Sequence, residues 1–209
     1  MMNAYKGIVI LVLICVHGGL LGQRKSERSH YLGAYYGMSI PLSGNFMKHI
    51  SPVMFSAEYT WHVLPWFTVG GYVGYSSGEE KGLTSDRYEG DLVNGYTERQ
   101  ISLLRCGIPF YFSFPSEYNR LEPYIRVAGG VSNVTYKIEG DQINRSFVRQ
   151  WSGFTDLGFG CRFFFNEEHS WGLDFCGAYR WNPSSWKLMN VQNNHCFELS
   201  LGILIKLSR

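Results

Sequence analysis

The residues with most chemical potential lie near the C-terminal end, where His195, Glu198 and Ser200 supply a base, an acid and a hydroxyl in a short run. Hydrolytic nucleophilic catalysis needs those three types in one hydrogen-bonded chain. Side chains of an extended strand alternate between faces, so Glu198 and Ser200 share one face and His195 takes the other. His62 sits at the end of a different alternating stretch. No triad is expected, and the chain reads as a non-enzyme. A second cluster holds Glu79, Glu80, Asp86, Glu89 and Asp91 against Lys81 and Arg87. Clustered carboxylates suit Ca²⁺, but this spacing matches no EF-hand loop and fits a solvated face. No metal or other cofactor is expected. Cys106, Cys161, Cys176 and Cys196 include no CxxC pair. They read as small apolar fillers, with a Cys176–Cys196 disulfide left open.

What would position these residues is a set of strands. Eight stretches alternate, and one face of each carries no charge. They run over Tyr31–Ile40, Val53–Val63, Phe67–Tyr75, Ile101–Phe114, Tyr124–Val134, Gly153–Phe165, Trp171–Trp181 and Cys196–Leu207. The charge-free face is built of Phe, Trp, Tyr, Leu, Ile and Val. The opposite face carries Gly, Ser, Thr and isolated charges. That inverts a soluble barrel and fits a barrel standing in lipid, whose spanning strands need about ten residues each. The expected fold is all-β, an eight-stranded antiparallel up-and-down transmembrane β-barrel. Pro109 falls mid-strand, where it cannot donate a ladder hydrogen bond, so a bulge or local gap is expected there.

The N-terminal segment has its own reading. Gly7–Val16 is an apolar run of signal-peptide length after a single Lys6. The domain reading is a signal peptide over 1–22 and an outer-membrane barrel over 23–209. Removing Met1–Gly22 takes away Lys6 and no acid, leaving 18 basic against 17 acidic residues. So balanced a chain offers nothing to nucleic acid or another polyanion.

Connections alternate in length, which supports the barrel. Pro41–Pro52, Ser77–Thr97, Tyr136–Gln150 and Asn182–His195 read as long loops, whereas Leu64–Trp66, Pro115–Pro123 and Asn166–Ser170 are short. Outer-membrane barrels have long extracellular loops and short periplasmic turns. On the charge-free face, Trp61, Phe67, Phe114, Phe165 and Trp171 lie next to the short turns, and Tyr75, Trp181 and Phe197 next to the long loops. They read as the two aromatic girdles of a barrel. The inner face holds Arg105, Arg126, Arg162, Arg180 and Lys206 against Glu58, Asp156, Asp174 and Glu198. Buried charges are costly unless paired, so these nine are expected to form a network across a plugged lumen.

Three segments resemble PorT-like outer-membrane β-barrel proteins of Bacteroidetes, a porin-type family. Ile101-Ser-Leu-Leu-Arg-Cys-Gly-Ile-Pro-Phe-Tyr-Phe112 resembles their strand ending in Ile-Pro and an apolar run. Pro123-Tyr-Ile-Arg-Val-Ala-Gly-Gly130 resembles the Pro-Tyr…Ala-Gly strand that follows, and Asp156-Leu-Gly-Phe-Gly-Cys-Arg-Phe163 their sixth strand. The resemblance implies outer-membrane localisation, contact with outer-membrane lipid and insertion by the barrel assembly machinery. It carries no activity and no site residues. Such chains usually end in an aromatic, whereas this one ends Ile205-Lys-Leu-Ser-Arg209. The expected role is structural, adhesive or secretion-accessory, with protein partners at the extracellular loops. The competing readings are a channel for a narrow solute, a lipid-modifying barrel enzyme, and a secreted lipocalin-like carrier with its apolar face inside.

Overall fold

The computed structural model describes residues 29–42, 53–88, 91–114, 120–140, 143–183 and 194–207. The expected signal segment Met1–Gly22, loop residues 43–52 and 184–193, and residues 208–209 lie outside these, as do the side chains of the acidic run from Glu80 to Asp91. Eight strands follow one another: β1 (His30–Pro41), β2 (Val53–Leu64), β3 (Phe67–Tyr88), β4 (Asp91–Ser113), β5 (Leu121–Gly140), β6 (Ile143–Phe164), β7 (Trp171–Asn182) and β8 (Asn194–Lys206). Each pairs antiparallel with its neighbours in sequence, and β8 returns to β1 to close the barrel. Closure leaves no edge strand in the barrel wall.

Alternation decides which face turns where. In β1, Tyr31 and Tyr35 are buried inside, while Leu32 and Tyr36 are 46% and 56% exposed. The same inversion runs around the wall, with Phe55, Phe159, Phe175 and Ile203 all exposed outward. The interior has three tiers. Tyr31, Tyr35, Phe164 and Leu204 pack together near the short turns. Tyr111, Tyr124, Cys176 and Ala178 form the middle. Tyr72, Ala128 and Phe154 lie towards the other end.

Two expected loops are strands. Ser77–Thr97 continues the β3–β4 ladder in register out to Tyr88↔Asp91, and Tyr136–Gln150 continues the β5–β6 ladder in register to Ile138↔Ser146, after which the register shifts before the last pair, Gly140↔Ile143. β3, β4 and β6 reach 22, 23 and 22 residues, against 12 in β1, β2 and β7. At about 3.3 Å per residue, the longer strands add roughly 30 Å of wall. β2 stops pairing with β3 at Val53↔Ser77, and β7 stops pairing with β6 at Thr155↔Trp181. The extension is therefore a four-stranded sheet, β3 to β6, standing on one side of the barrel. Pro109 produces a gap rather than a bulge. The β3–β4 ladder breaks after Val69↔Phe110 and resumes at Tyr72↔Gly107 with register unchanged.

Candidate functional site

The chemistry of this chain is concentrated inside the barrel. Arg180 makes a bidentate pair with Asp156 at 2.5 and 2.6 Å and reaches Glu198 at 2.6 Å. Glu198 also accepts from Arg105. Asp156 accepts from Arg126 at 3.2 Å, and Arg126 reaches Glu58 at 3.2 Å. The chain Arg105–Glu198–Arg180–Asp156–Arg126–Glu58 thus links residues of β2, β4, β5, β6, β7 and β8. Tyr111 ends it by donating to Glu58. Charge-assisted bonds of this kind are the strong ones, and each partner here is almost fully buried.

Arg162 anchors a second cluster nearer the short turns. It pairs with Glu122 at 3.0 Å and with Asp174 at 3.5 Å. Its guanidinium lies over the rings of Tyr111 and Tyr124, 4.5 and 4.9 Å from their centroids. Tyr35 and Tyr124 donate to Asp174 at 3.0 and 2.7 Å, and Ser113 donates to Glu122 at 2.6 Å. Inward glycines make room for these rings: a Cβ on Gly202 would run into Tyr35, and one on Gly160 into Tyr124. Among the described residues, the cavity lined by Glu58, Arg105, Tyr111, Arg126, Arg180 and Glu198 measures about 30 Å³. That holds about two waters.

The expected network differs from this at two positions. Lys206 does not join it. Its Nζ donates to the Glu168 carbonyl at 3.4 Å, at the exposed mouth, because β8 ends there and a long cationic chain reaches for water. Glu122 does join, although the sequence reading placed it in a short connection. It lies two residues before Tyr124 and continues the inward parity of β5, which is the signal that would have found it. His62 lies 3.4 Å from Arg162, also on the inward parity. The interior thus sets four arginines against five carboxylates.

His195, Glu198 and Ser200 are not brought together. His195 turns outward onto the Tyr179 hydroxyl at 2.5 Å, while Glu198 is held inside by Arg105 and Arg180. Cys176 faces Ser200 and Cys196 faces Arg180 across the β7–β8 ladder, and all four described cysteines are free. Among the described residues, no group of three His, Cys, Asp or Glu is placed to hold a metal.

The outward rings occupy both strand ends. Near the short turns, Phe165 stacks on Trp171 at 4.1 Å, Phe67 packs against Phe112 at 5.5 Å, and Trp61 and Phe114 are exposed. At the other end Tyr75 and Trp181 are each 42% exposed and Phe197 is half-buried. Trp151, which falls between the expected loop ending at Gln150 and the alternating stretch starting at Gly153, is more exposed than either, at 66%. It faces outward on β6 in line with Tyr75, through the pairs Tyr75↔Leu104, Leu104↔Asn133 and Asn133↔Trp151.

A closed eight-stranded barrel with an apolar outer wall and a charged, filled interior is a transmembrane barrel of the bacterial outer-membrane class. Solved structures of that class share its fold. Neisserial surface protein A superposes with a TM-score of 0.54 at 15% identity, over 87% of this chain and 98% of its own. A major outer membrane protein from Thermus thermophilus gives 0.56 at 12% identity, over 87% and 100%. No protein-family model matches the sequence, and no curated protein does either.

Proposed function

We propose that this chain is a surface-exposed recognition protein of the outer membrane, a non-enzymatic and non-conducting barrel that presents the β3–β6 extension to a protein partner. The observation that carries this is the asymmetric wall. Four strands continue about 30 Å beyond the barrel, and the lumen beneath them is filled. A loop-bearing scaffold places recognition where the rigid frame ends, and here the frame itself is carried outward. The two outward ring sets serve as interfacial girdles, and the interior ion pairs hold the wall in register. The apolar run Gly7–Val16 acts as a signal peptide, and the barrel assembly machinery inserts the chain, as the resemblance to PorT-like barrels implies.

The extension ends in free strand edges, Gly78–Tyr88 on β3 and Ile143–Phe154 on β6, whose backbone groups lack a neighbouring strand among the described residues. Unpaired edges recruit a partner strand readily. Photo-cross-linking in intact cells, from a probe at Thr84, tests the reading. A discrete cross-linked protein is expected. It should vanish when Glu80–Arg99 is replaced by an Asn-Gly turn joining Glu79 to its partner Gln100. Absence of any surface-dependent product, or recovery of the chain in the soluble fraction, would sink it.

A further inference from the structure

The outward face of β3–β6 changes character in successive cross-strand rows. The row Tyr75–Leu104–Asn133–Trp151 closes the apolar wall. The next row outward is Ser77–Ser102–Thr135–Arg149, three hydroxyls and one guanidinium. Beyond it come Glu79, Gln100 and Lys137. Tyr75 donates to Ser102 at 3.2 Å, tying the two rows together. One step along a strand face is about 6.6 Å, so Arg149 sits one headgroup depth above the Trp151 ring.

Arg149 is exposed and is held from one side only. Its Nε donates to Asn133 Oδ1 at 2.8 Å, and its terminal nitrogens have no partner among the described residues. Asn133 is 3% exposed, and its Nδ2 has no acceptor. The buried carboxamide spends its oxygen on Arg149 Nε and so fixes the exposed guanidinium from behind, with its terminal nitrogens left for a ligand. Arg149 stands one row beyond the exposed Trp151, on the face that meets lipid. The carboxylates Glu98 and Glu139 lie on outer rows, and Glu139 is engaged by Lys137 at 2.8 Å.

We infer that Arg149, Asn133 and Trp151 form a binding site for the phosphorylated sugar headgroup of an outer-leaflet glycolipid. The guanidinium matches phosphate geometry through two N–H groups. Trp151 lies against the first acyl carbons at the interface. The hydroxyl row beside Arg149 offers partners to sugar hydroxyls, which favours a glycolipid over a phospholipid. The site rests on the outward orientation proposed above. That orientation is checked separately, by protease cleavage of the β3–β6 extension in intact cells.

Full-length protein in phosphatidylcholine nanodiscs, doped with bis-phosphorylated lipid A, tests the site by native mass spectrometry of retained lipid. Wild-type protein is expected to retain bis-phosphorylated lipid A at least tenfold over its dephosphorylated form, and millimolar inorganic phosphate should not displace it. Arg149→Gln should abolish the preference, Trp151→Ala should weaken retention severalfold, and Arg149→Lys should recover part of it. Heat-dependent gel mobility confirms that each variant is folded. Equal retention by wild type and R149Q overturns the proposal. So does equal retention of the dephosphorylated lipid, a stronger preference for phosphatidylglycerol, or displacement by inorganic phosphate, which would mark a free-anion site.

Discussion

Asp156 is where the interior ion pairs converge. It takes a fork from Arg180 and a further bond from Arg126, and its residue is 2% exposed. Removing one member of a buried pair leaves a charge without compensation and typically costs about 3–5 kcal/mol. Asp156→Ala takes a carboxylate from two guanidiniums but leaves Arg180 on Glu198 and Arg126 on Glu58, so it should lose about 3 kcal/mol, the lower end of that range, in urea unfolding followed by tryptophan fluorescence. Asp156→Asn, which keeps one acceptor oxygen, should lose less. An alanine variant as stable as the parent would mean that water replaces the carboxylate and the network adds nothing. Gly202 makes a second case. A methyl there collides with the Tyr35 ring, and overpacking of this kind costs about 1–3 kcal/mol. Tyr35→Ala removes the obstacle as well as a hydrogen bond to Asp174. The double variant should therefore be less destabilised than the two single effects added, by about 1 kcal/mol on the same unfolding assay. Strict additivity would show that the ring moves aside freely.

At the scale of elements, the sequence announced all eight strands but not how far four of them run. Alternation between greasy and polar is visible only where one face meets lipid. Beyond Tyr75 and before Ile101 the sequence no longer alternates apolar with polar residues, so Glu79, Lys81 and Glu98 look like a loop although their backbone continues the ladder. The same blindness hid Trp151 and Glu122, each lying just past the place where the lipid pattern fades. Lys206 erred the other way: its parity points inward, but the strand ends beside it and the amine turns to the mouth. Which arginine meets which acid was not legible, because pairing depends on stagger between strands far apart in sequence, such as Arg105 and Glu198. The extension itself should be dispensable for folding. Replacing Glu80–Arg99 with an Asn-Gly turn leaves every β3–β4 pair from Phe67↔Phe112 to Glu79↔Gln100. Heat-dependent gel mobility and the urea midpoint should match those of the full chain. Loss of the folded band would show that the barrel closes only with the outer hairpin in place.

For the whole molecule the deciding quantity is how completely the interior is filled. An eight-stranded barrel encloses only as much space as side chains can occupy. Here Tyr31, Tyr35, Phe164 and Leu204 pack one end, with Phe164 fully buried and His169 stacked on it at 4.2 Å. Arg162, between the rings of Tyr111 and Tyr124, fills the section above, and among the described residues the cavity beside Glu58, Arg105, Arg126 and Glu198 has room for about two waters, too little for a hydrated ion. The apolar tier and the ion-paired tier block the lumen independently. A planar bilayer holding the purified protein at about 100 mV should therefore show no steady open level. Phe164→Ala, which opens only the lower tier, should stay closed as well. Phe164→Ala combined with Arg162→Ala removes a plug from each tier and should give brief, noisy openings. Steady conductance from the unmodified chain would overturn the filled interior and restore the narrow-channel reading. Silence from the double variant would place the block in the Arg105–Glu198–Arg180 section, which neither substitution touches.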